Sequence, residues 1–409
     1  MKILQINTSV NTGSTGRIAE DISKAVLGNG YQSFIAAGFT DRPSASHVIK
    51  IGNQWDQKLH GIKTRLFDRH GFGSKNATLQ LVKELAQIKP DLIHLHNLHG
   101  YYLHIGVLFE YLKEVQLPVV WTFHDCWPFT GHCSFFDRYN CTKWQTVCHH
   151  CPNTKGYPAS LGIDNSRRNY RDKKSIFNGL DNCTIVTPSE WLADHVNHSF
   201  LGNYPVKCIH NGIDLEVFSP TANSESILAN YQINSTPFIL GVASTWDLRK
   251  GLKDFEKLAL RKDKPFLVVL VGLSKNQIES LPTGVIGIAR TENTAELAAL
   301  YAAATVFVNP SYVDNFPTTN LEALACGTPV ITYNTGGSPE AIDAETGIVV
   351  EKGDLNGLYG AIVQICSKGK DFYTGKCRER AVRYFNKRIG TPIIWNCISQ
   401  CFSSRLLKK

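Results

Sequence analysis

Two carboxylates stand eight residues apart, Asp314 and Glu322, in the stretch VNPSYVDNFPTTNLEALACGTPV (308–330). The stretch follows an apolar run typical of a strand, and its pattern predicts a helix that begins at Thr318. Unpaired backbone N–H groups and the helix dipole favour an anion at such a helix N-terminus. Carboxylates accept hydrogen bonds from neighbouring hydroxyls. The spacing therefore suits a diphosphate with sugar hydroxyls at one end and ribose hydroxyls at the other.

Four cysteines form a second constellation: Cys133, Cys141, Cys148 and Cys151. The last two make a C-x2-C pair, and four thiolates are the usual ligands of a closed, structural zinc site. We predict such a site, in which a nearby histidine such as His132 could replace one cysteine. An iron–sulfur cluster, disulfides and unpaired buried thiols remain alternatives.

Polar side chains also gather where predicted strands end. His96 and Asn97 follow the apolar run DLIHLH (91–96), and His124 and Asp125 end the run PVVWTFHD (118–125). Ligands of α/β proteins bind at the carboxyl edge of the sheet, where these residues are expected. A glycine-rich turn that contains Gly13 and Gly16 links the first strand to a helix and would let a ligand approach the backbone. A plain tight turn and ordinary loop or core histidines would explain the same residues.

The elements that position these residues alternate between strand and helix patterns in both halves of the chain. Apolar strand runs lie at 2–7, 31–38, 91–96, 118–124 and 183–189, and again at 237–244, 265–272, 285–289, 305–311 and 329–334. We predict two doubly wound, Rossmann-like α/β domains at 1–205 and 206–385, with a cysteine-rich insertion at about 125–163 in the first. Residues 386–409 are expected to cross back to the first domain.

The composition is that of a globular protein of 409 residues, with 43% hydrophobic and 19% charged residues. A net charge of +8 is modest, and no nucleic-acid recognition motif accompanies it. We expect a cytoplasmic protein, because the N-terminus lacks the pattern of a signal peptide and no apolar run is long enough to span a membrane. The basic stretch NSRRNYRDKKSIF (165–177) predicts either a solvated helix or a patch that binds anionic lipid headgroups.

The sequence resembles the retaining GT-B glycosyltransferases of family four (glycosyl transferases group 1) along almost its whole length. The resemblance is carried by DNFPTTNLEALACGTPV followed by GGSPE, by HNGID (210–214) and by RKG (249–251). The family signature begins with a glutamate, where this chain has Asp314. The usual arginine six residues before the lysine is Ser244 here. The chain is most similar to bacterial exopolysaccharide and colanic-acid-type enzymes in three segments, DNFP, HLHNLHGYYL and TFHDCWPFTGHC.

The resemblance implies a GT-B fold, in which the two domains face a cleft, and a role for each matching residue. It implies catalytic roles for His124, Lys250 and Asp314, and an acceptor side formed by His96, Asn97, His124 and Asp125. Donor binding would involve Gly13, Gly16, Arg249, Lys250, Asp314, Asn315, Phe316, Pro317, Thr318, Thr319 and Glu322. The lysine would neutralise the leaving diphosphate. Neither an organic cofactor nor a catalytic metal is expected for the transfer.

We therefore predict a hexosyltransferase that moves a sugar from a UDP- or GDP-sugar to a saccharide acceptor in cell-surface polysaccharide synthesis. We expect this acceptor to be lipid-linked. Such an enzyme would act in the cytoplasm or at the inner face of the plasma membrane. A GT-B-fold sugar-nucleotide epimerase is an alternative. So is a non-catalytic partner subunit that retains the fold, an alternative supported only by Asp314 and the missing arginine.

Overall fold

The computed structural model describes residues 1–220, 224–233 and 237–388. It divides into two compact units, the first running Met1–Ile209 and the second beginning at His210. Each unit has its own hydrophobic core. The predicted C-terminal segment, 386–409, lies almost entirely outside the described residues, so its expected return to the first domain stays a prediction.

The first unit contains a seven-stranded parallel sheet in the order β3-β2-β1-β4-β5-β6-β7. Its strands are β1 (Lys2–Ser9), β2 (Gln32–Phe39), β3 (His47–Lys50), β4 (Leu92–Leu95), β5 (Val119–Thr122), β6 (Cys183–Thr187) and β7 (Val206–Cys208). Its helices are α1 (Gly13–Gly28), α2 (Gln54–Phe67), α3 (Lys75–Ile88), α4 (Ile105–Val115), α5 (Ser166–Phe177) and α6 (Glu190–Asn197). Every residue of β4 and β5 is buried, as expected for parallel strands covered by helices on both faces.

The second unit contains a six-stranded parallel sheet in the order β10-β9-β8-β11-β12-β13. Its strands are β8 (Phe238–Val242), β9 (Leu267–Val271), β10 (Val285–Ile288), β11 (Val306–Asn309), β12 (Val330–Tyr333) and β13 (Gly347–Val350). Its helices are α7 (Glu225–Asn230), α8 (Leu252–Ala259), α9 (Lys275–Glu279), α10 (Thr294–Ala303), α11 (Thr318–Ala325), α12 (Leu355–Lys368) and α13 (Asp371–Tyr384). The predicted fold class, two doubly wound α/β domains, is confirmed.

Strand order reverses between β1 and β4 in the first sheet and between β8 and β11 in the second. Loops that leave neighbouring strands in opposite directions open a crevice at the carboxyl edge, where α/β proteins bind ligands. The glycine-rich turn follows β1, and the His96–Asn97 loop follows β4. In the second unit, the Lys250 loop follows β8 and the Asp314 loop follows β11. These four loops therefore lie at the switch point of their own sheet, whereas His124 and Asp125 follow the neighbouring strand β5.

The cysteine-rich insertion lies between β5 and α5 and is built from short turns rather than regular helices or strands. Its 3₁₀ turns are Trp127–Phe129, Asp137–Tyr139 and Lys143–Gln145. Aromatic side chains hold it together: Phe129, Phe136 and Trp144 are buried and pack against one another. The insertion is thus part of the core of the first unit.

Candidate active site

Two loops of the second unit meet through an ion pair between Lys250 and Asp314. The Lys250 Nζ atom lies 2.6 Å from the Asp314 Oδ2 atom, and both side chains are partly buried. The backbone N–H of Tyr312 donates to the carbonyl of Arg249 over 2.7 Å, so the two loops are also joined by their backbones. The structure therefore brings together two of the three predicted catalytic residues.

Glycines allow the backbones of this site to come close together. Gly336 has φ +52°, and a Cβ atom added there would lie 1.7 Å from the carbonyl oxygen of Asp314. The next N–H, that of Gly337, donates to the carbonyl of Asn315 over 2.7 Å. Gly251, with φ +72°, likewise approaches the carbonyl of Pro310. Only glycine combines this dihedral with this proximity, so both residues fix the position of the Asp314 loop.

Helix α11 presents uncapped N–H groups directly after that loop. Pro317 is the N-cap residue, no side chain caps the helix, and Thr318 and Thr319 form its first turn. Asn315 and Phe316 are buried, and the ring of Phe316 stacks on His210 with centroids 4.7 Å apart. Open donors at the N-terminus of a helix suit the phosphate groups expected from the sequence.

Glu322 lies inside α11 with only 7% of its surface exposed. Its Oε2 atom accepts a hydrogen bond from the hydroxyl of Tyr301, a fully buried residue of α10, over 2.9 Å. Burial and the neighbouring Glu322 raise the pKa of Tyr301 well above its usual value, so the hydroxyl stays a donor. Tyr301 thus fixes the orientation of the carboxylate, a role that no motif in the sequence predicts.

Arg249 is held by a residue close in sequence. Its Nη2 atom lies 2.7 Å from the Asp247 Oδ2 atom, and its backbone N–H donates to the same carboxylate. The side chain is partly exposed. The guanidinium therefore already has an anionic partner, as does the ammonium group of Lys250.

In the first unit, His124 and His96 are connected by hydrogen bonds to Gln5. The Gln5 amide nitrogen donates to the Ala19 carbonyl, so its Oε1 atom accepts from His96 Nε2 over 3.0 Å. In neutral His96, the Nδ1 atom is then an acceptor for His124 Nε2, at 3.2 Å. This series of hydrogen bonds places the proton of each imidazole ring on its Nε2 atom.

Both of these histidines are uncharged near neutral pH. Burial lowers the pKa of His124 to about 4, with a partly opposing effect of Asp125, and lowers the pKa of His96 well below its usual value. Burial likewise lowers the pKa of His94, a residue of β4 whose ring centroid lies 4.2 Å from that of His96, to about 3. His124 can therefore offer neutral hydrogen bonding but not a positive charge.

Asp125 connects the end of β5 to the cysteine-rich insertion. Its Oδ2 atom lies 2.8 Å from His99 Nε2, and His99 Nδ1 lies 3.0 Å from the hydroxyl of Tyr157. Burial would raise the pKa of Asp125, but His99 and the backbone N–H of Trp127 lower it overall. Asp125 is therefore ionised and holds His99 in place.

The remaining predicted residues of the first unit lie in loops beside these groups. Gly13, with φ +67°, begins α1, and a Cβ atom at Gly16 would press on the backbone of Asn11. The backbone carbonyl of Asn97 accepts from the hydroxyls of Tyr102 and Thr8. Its loop is thereby fastened to the end of β1.

The four predicted metal ligands lie close together without forming a complete site. Cys133 hydrogen-bonds to Cys151 and thereby lowers the pKa of that thiol to about 7, while the Sγ atom of Cys148 accepts from the N–H of Gly131. Within residues 1–220, 224–233 and 237–388, no three of these cysteines bring their sulfur atoms within 4.8 Å of one another. Cys133, Cys141, Cys148 and Cys151 are not joined by disulfides. Metal binding therefore stays a prediction.

Two family sequence models match the chain. The model described as Glycosyltransferase Family 4 matches residues 15–217, and the model described as Glycosyl transferases group 1 matches residues 238–368. The chain belongs to the family 4 glycosyltransferases. The predicted family and enzyme class are confirmed.

Relatives agree with this assignment. A glycosyl transferase assigned to colanic acid biosynthesis, WcaC of Escherichia coli (strain K12), is 28% identical over 375 residues, which cover 87% of this chain and 88% of the relative. Sucrose-phosphate synthase from Thermosynechococcus elongatus superposes with a TM-score of 0.74 at 19% identity, over 98% of this chain and 99% of its own. HepE of Anabaena in complex with UDP-glucose gives a TM-score of 0.67 at 18% identity, over 98% and 100% of the two chains. The GT-B fold is therefore confirmed.

No helix within the described parts of this transferase is long and apolar enough to cross a membrane.

Proposed function

We propose that this glycosyltransferase moves a sugar from a nucleotide-diphosphate sugar to a saccharide acceptor during cell-surface polysaccharide synthesis, with retention of the anomeric configuration. The observation that carries the proposal is the Lys250–Asp314 pair beside the open N-terminus of α11. It combines a cation, a carboxylate and backbone N–H donors at the switch point of the second sheet. The names of the WcaC and HepE relatives support polysaccharide synthesis and a UDP-sugar.

In the proposed donor complex, the diphosphate binds the backbone N–H groups of Asn315, Phe316, Thr318 and Thr319 and the ammonium group of Lys250. Negative charge builds on the phosphate oxygens as the glycosidic bond breaks, so a cation at this point stabilises the transition state. Asp314 then exchanges its ion pair for hydroxyls of the transferred sugar. The carboxylate of Glu322, oriented by Tyr301, accepts from the ribose hydroxyls. Arg249 gives further positive charge beside the phosphates.

The proposed acceptor side belongs to the first unit. His124, His96, Asn97 and Asp125 lie at the ends of β4 and β5, and the glycine-rich turn follows the neighbouring strand β1. Because burial keeps His124 neutral, it would hydrogen-bond a sugar hydroxyl rather than protonate a leaving group. The leaving phosphate itself then accepts the proton of the attacking hydroxyl on the same face of the sugar, which gives retention.

A lipid-linked acceptor would place the enzyme at the cytoplasmic face of the membrane, and the basic helix α5 suits that position. Its residues Arg167, Arg168, Arg171 and Lys174 are exposed, whereas Lys173 is buried. Anionic headgroups attract such clusters by about 1 kcal/mol for each basic residue near the surface.

We further propose that Cys133, Cys141, Cys148 and Cys151 bind a structural metal after a small rearrangement of the insertion. His132 lies within the same segment: its Nδ1 atom is 2.5 Å from Asp68, and its Nε2 atom is buried without a hydrogen-bond partner in the described residues. A carboxylate on one ring nitrogen commonly orients a histidine whose other nitrogen binds metal. Metal analysis of the purified protein and of Cys148→Ser tests this: about one zinc per chain, reduced in the variant, is expected, and free thiols without metal would contradict it.

The function itself is tested by incubating the enzyme with UDP- and GDP-sugars and undecaprenyl-diphosphate-linked saccharides. We expect one donor to give a glycoside whose anomeric configuration, measured by NMR, matches that of the donor. Interconversion of a nucleotide sugar without an acceptor would indicate an epimerase instead. Donor binding without turnover on any acceptor would indicate a non-catalytic subunit.

A further inference from the structure

Helix α2 carries a stripe of large apolar side chains on its solvent side. Trp55, Leu59, Ile62 and Leu66 are 70%, 64%, 53% and 49% exposed. Their spacing of four, three and four residues places them on one face of the helix. The residues that α2 buries are His60 and Thr64, which lie on the opposite face. This "α2 stripe" is therefore an outward apolar surface rather than the core-facing side of an ordinary amphipathic helix.

Basic side chains flank the stripe. Lys58 lies beside the ring of Trp55, with its Nζ atom 4.8 Å from the ring centroid, and Arg65 is exposed on the next turn after Ile62. The one acidic residue of the helix, Asp56, caps its N-terminus and accepts from the backbone of Asn53. The exposed surface of α2 thus combines apolar and positive groups.

The stripe adjoins the N-terminus of the basic helix α5. The N–H of Leu161, itself 75% exposed, donates to the carbonyl of Arg65 over 2.8 Å, and the Asn165 amide donates to the carbonyl of Phe67 over 2.8 Å. Arg69, just past α2, pairs with Asp172 at 2.7 Å. Asp172 is the one acidic side chain of α5, and it also lies 3.8 Å from Arg168 of the same helix. Arg167, Arg171 and Lys174 are exposed as well, so positive charge dominates this surface of α5. The two helices are therefore fixed next to each other.

We propose that the α2 stripe and Leu161 insert into the interfacial region of an anionic lipid bilayer, while the exposed cations of α2 and α5 contact its headgroups. This inference deepens the membrane position in the function proposed above and rests on it. An exposed apolar stripe bordered by cations is the pattern of helices that lie in the membrane interface.

Charge favours a lipid surface over the other possible occupants. A second copy packed symmetrically would bring the same cations face to face, which costs energy at a partly buried interface. Residues 389–409, which contain three basic residues and no acidic one, would also repel the flanking lysine and arginines. Phosphatidylglycerol supplies both an apolar layer and negative charge.

The test is flotation of the full-length protein with vesicles of phosphatidylcholine alone or mixed with phosphatidylglycerol. The stripe variant is Trp55→Ser/Leu59→Ser/Ile62→Ser, and the charge variant is Arg167→Gln/Arg168→Gln/Arg171→Gln. The matched control is Leu260→Ser/Phe372→Ser, which removes side chains of similar exposure, 69% and 55%, from the second unit. UDP binding, a property of the donor site, is measured for every variant, so failure of the donor proposal is seen separately.

We expect the wild type and the control to float with anionic vesicles. The stripe variant should lose about a hundredfold in partition coefficient with UDP binding unchanged. The charge variant should lose about fivefold per arginine, and only on anionic vesicles. The proposal would be overturned by no flotation of the wild type, by equal flotation of the stripe variant, or by a wild-type dimer that the stripe substitutions convert to a monomer. Increased hydrogen exchange of α2 after removal of residues 389–409 would also overturn it, because the chain itself would then cover this face.

Discussion

Replacing Tyr301 by phenylalanine removes one hydroxyl and tests whether Glu322 is a donor ligand. The hydroxyl donates to Glu322 over 2.9 Å in a buried environment. A hydrogen bond to a charged group contributes about 1.5–3 kcal/mol, so Tyr301→Phe should lower the free energy of unfolding by that amount. If the carboxylate binds the ribose, its freer orientation should also raise the Kd for UDP by about tenfold, equivalent to about 1.4 kcal/mol. Urea denaturation and isothermal titration calorimetry measure the two effects.

The matched control is Tyr333→Phe. Like Tyr301, Tyr333 is fully buried within the second unit. Its hydroxyl also donates to a buried carboxylate, that of Asp254, over 2.9 Å. We expect a loss of stability but an unchanged Kd for UDP. Two results would refute the assignment of Glu322 as a ligand of the nucleotide. One is the same Kd for UDP in Tyr301→Phe and Tyr333→Phe, and the other is an unchanged Kd for UDP in Tyr301→Phe despite its lower stability.

Three further predictions concern the same molecule. Lys250→Met should lower kcat by at least about a hundredfold, the size of effect seen when one transition-state donor is removed, and by more than Arg249→Met; similar kcat values for the two variants would contradict this. Gly336→Ala should abolish UDP binding in a thermal-shift assay, because its Cβ atom would meet the Asp314 carbonyl, whereas Gly360→Ala, with no atom within 4 Å, should bind as the wild type does. Burial lowers the pKa of His94 to about 3, so the unfolded state takes up a proton first as the pH falls below about 6.5, and stability decreases. At pH about 5 the free energy of unfolding, measured by urea denaturation, should be about 2 kcal/mol lower than at neutral pH. In His94→Gln the free energy of unfolding should depend less on pH.

Apolar strand runs predicted most of both sheets, because parallel strands buried on both faces leave a strong signal. Strands β3, β7 and β13 were missed. Each has only three or four residues, and β7 lies at the start of the stretch expected to connect the domains. Helix α2 was also missed, although its apolar spacing is helical. The same spacing would have suggested a core-facing helix, since sequence periodicity cannot distinguish an exposed stripe from a buried one.

The donor motif could be predicted because its residues are close in sequence. The partners that orient them could not, because the fold brings them from distant elements. Tyr301 reaches Glu322 from α10, and Gln5 reaches His96 from β1. His99 was visible in the run HLHNLHG, but its pairing with Asp125 depends on the register of β4 against β5. The arrangement of the four cysteines likewise depends on turns that have no periodic signal.

The hydrogen bonds from Tyr157 through His99 to Asp125 have an evolutionary consequence. They connect the insertion to the strand end that carries His124, so the insertion is not an exchangeable module. A relative that lost the segment around Tyr157 would leave His99 and a buried carboxylate without one of their supports. Substitutions at these positions should therefore be inherited together, and a chimeric enzyme that exchanges the insertion should need residues 99 and 125 from the same parent.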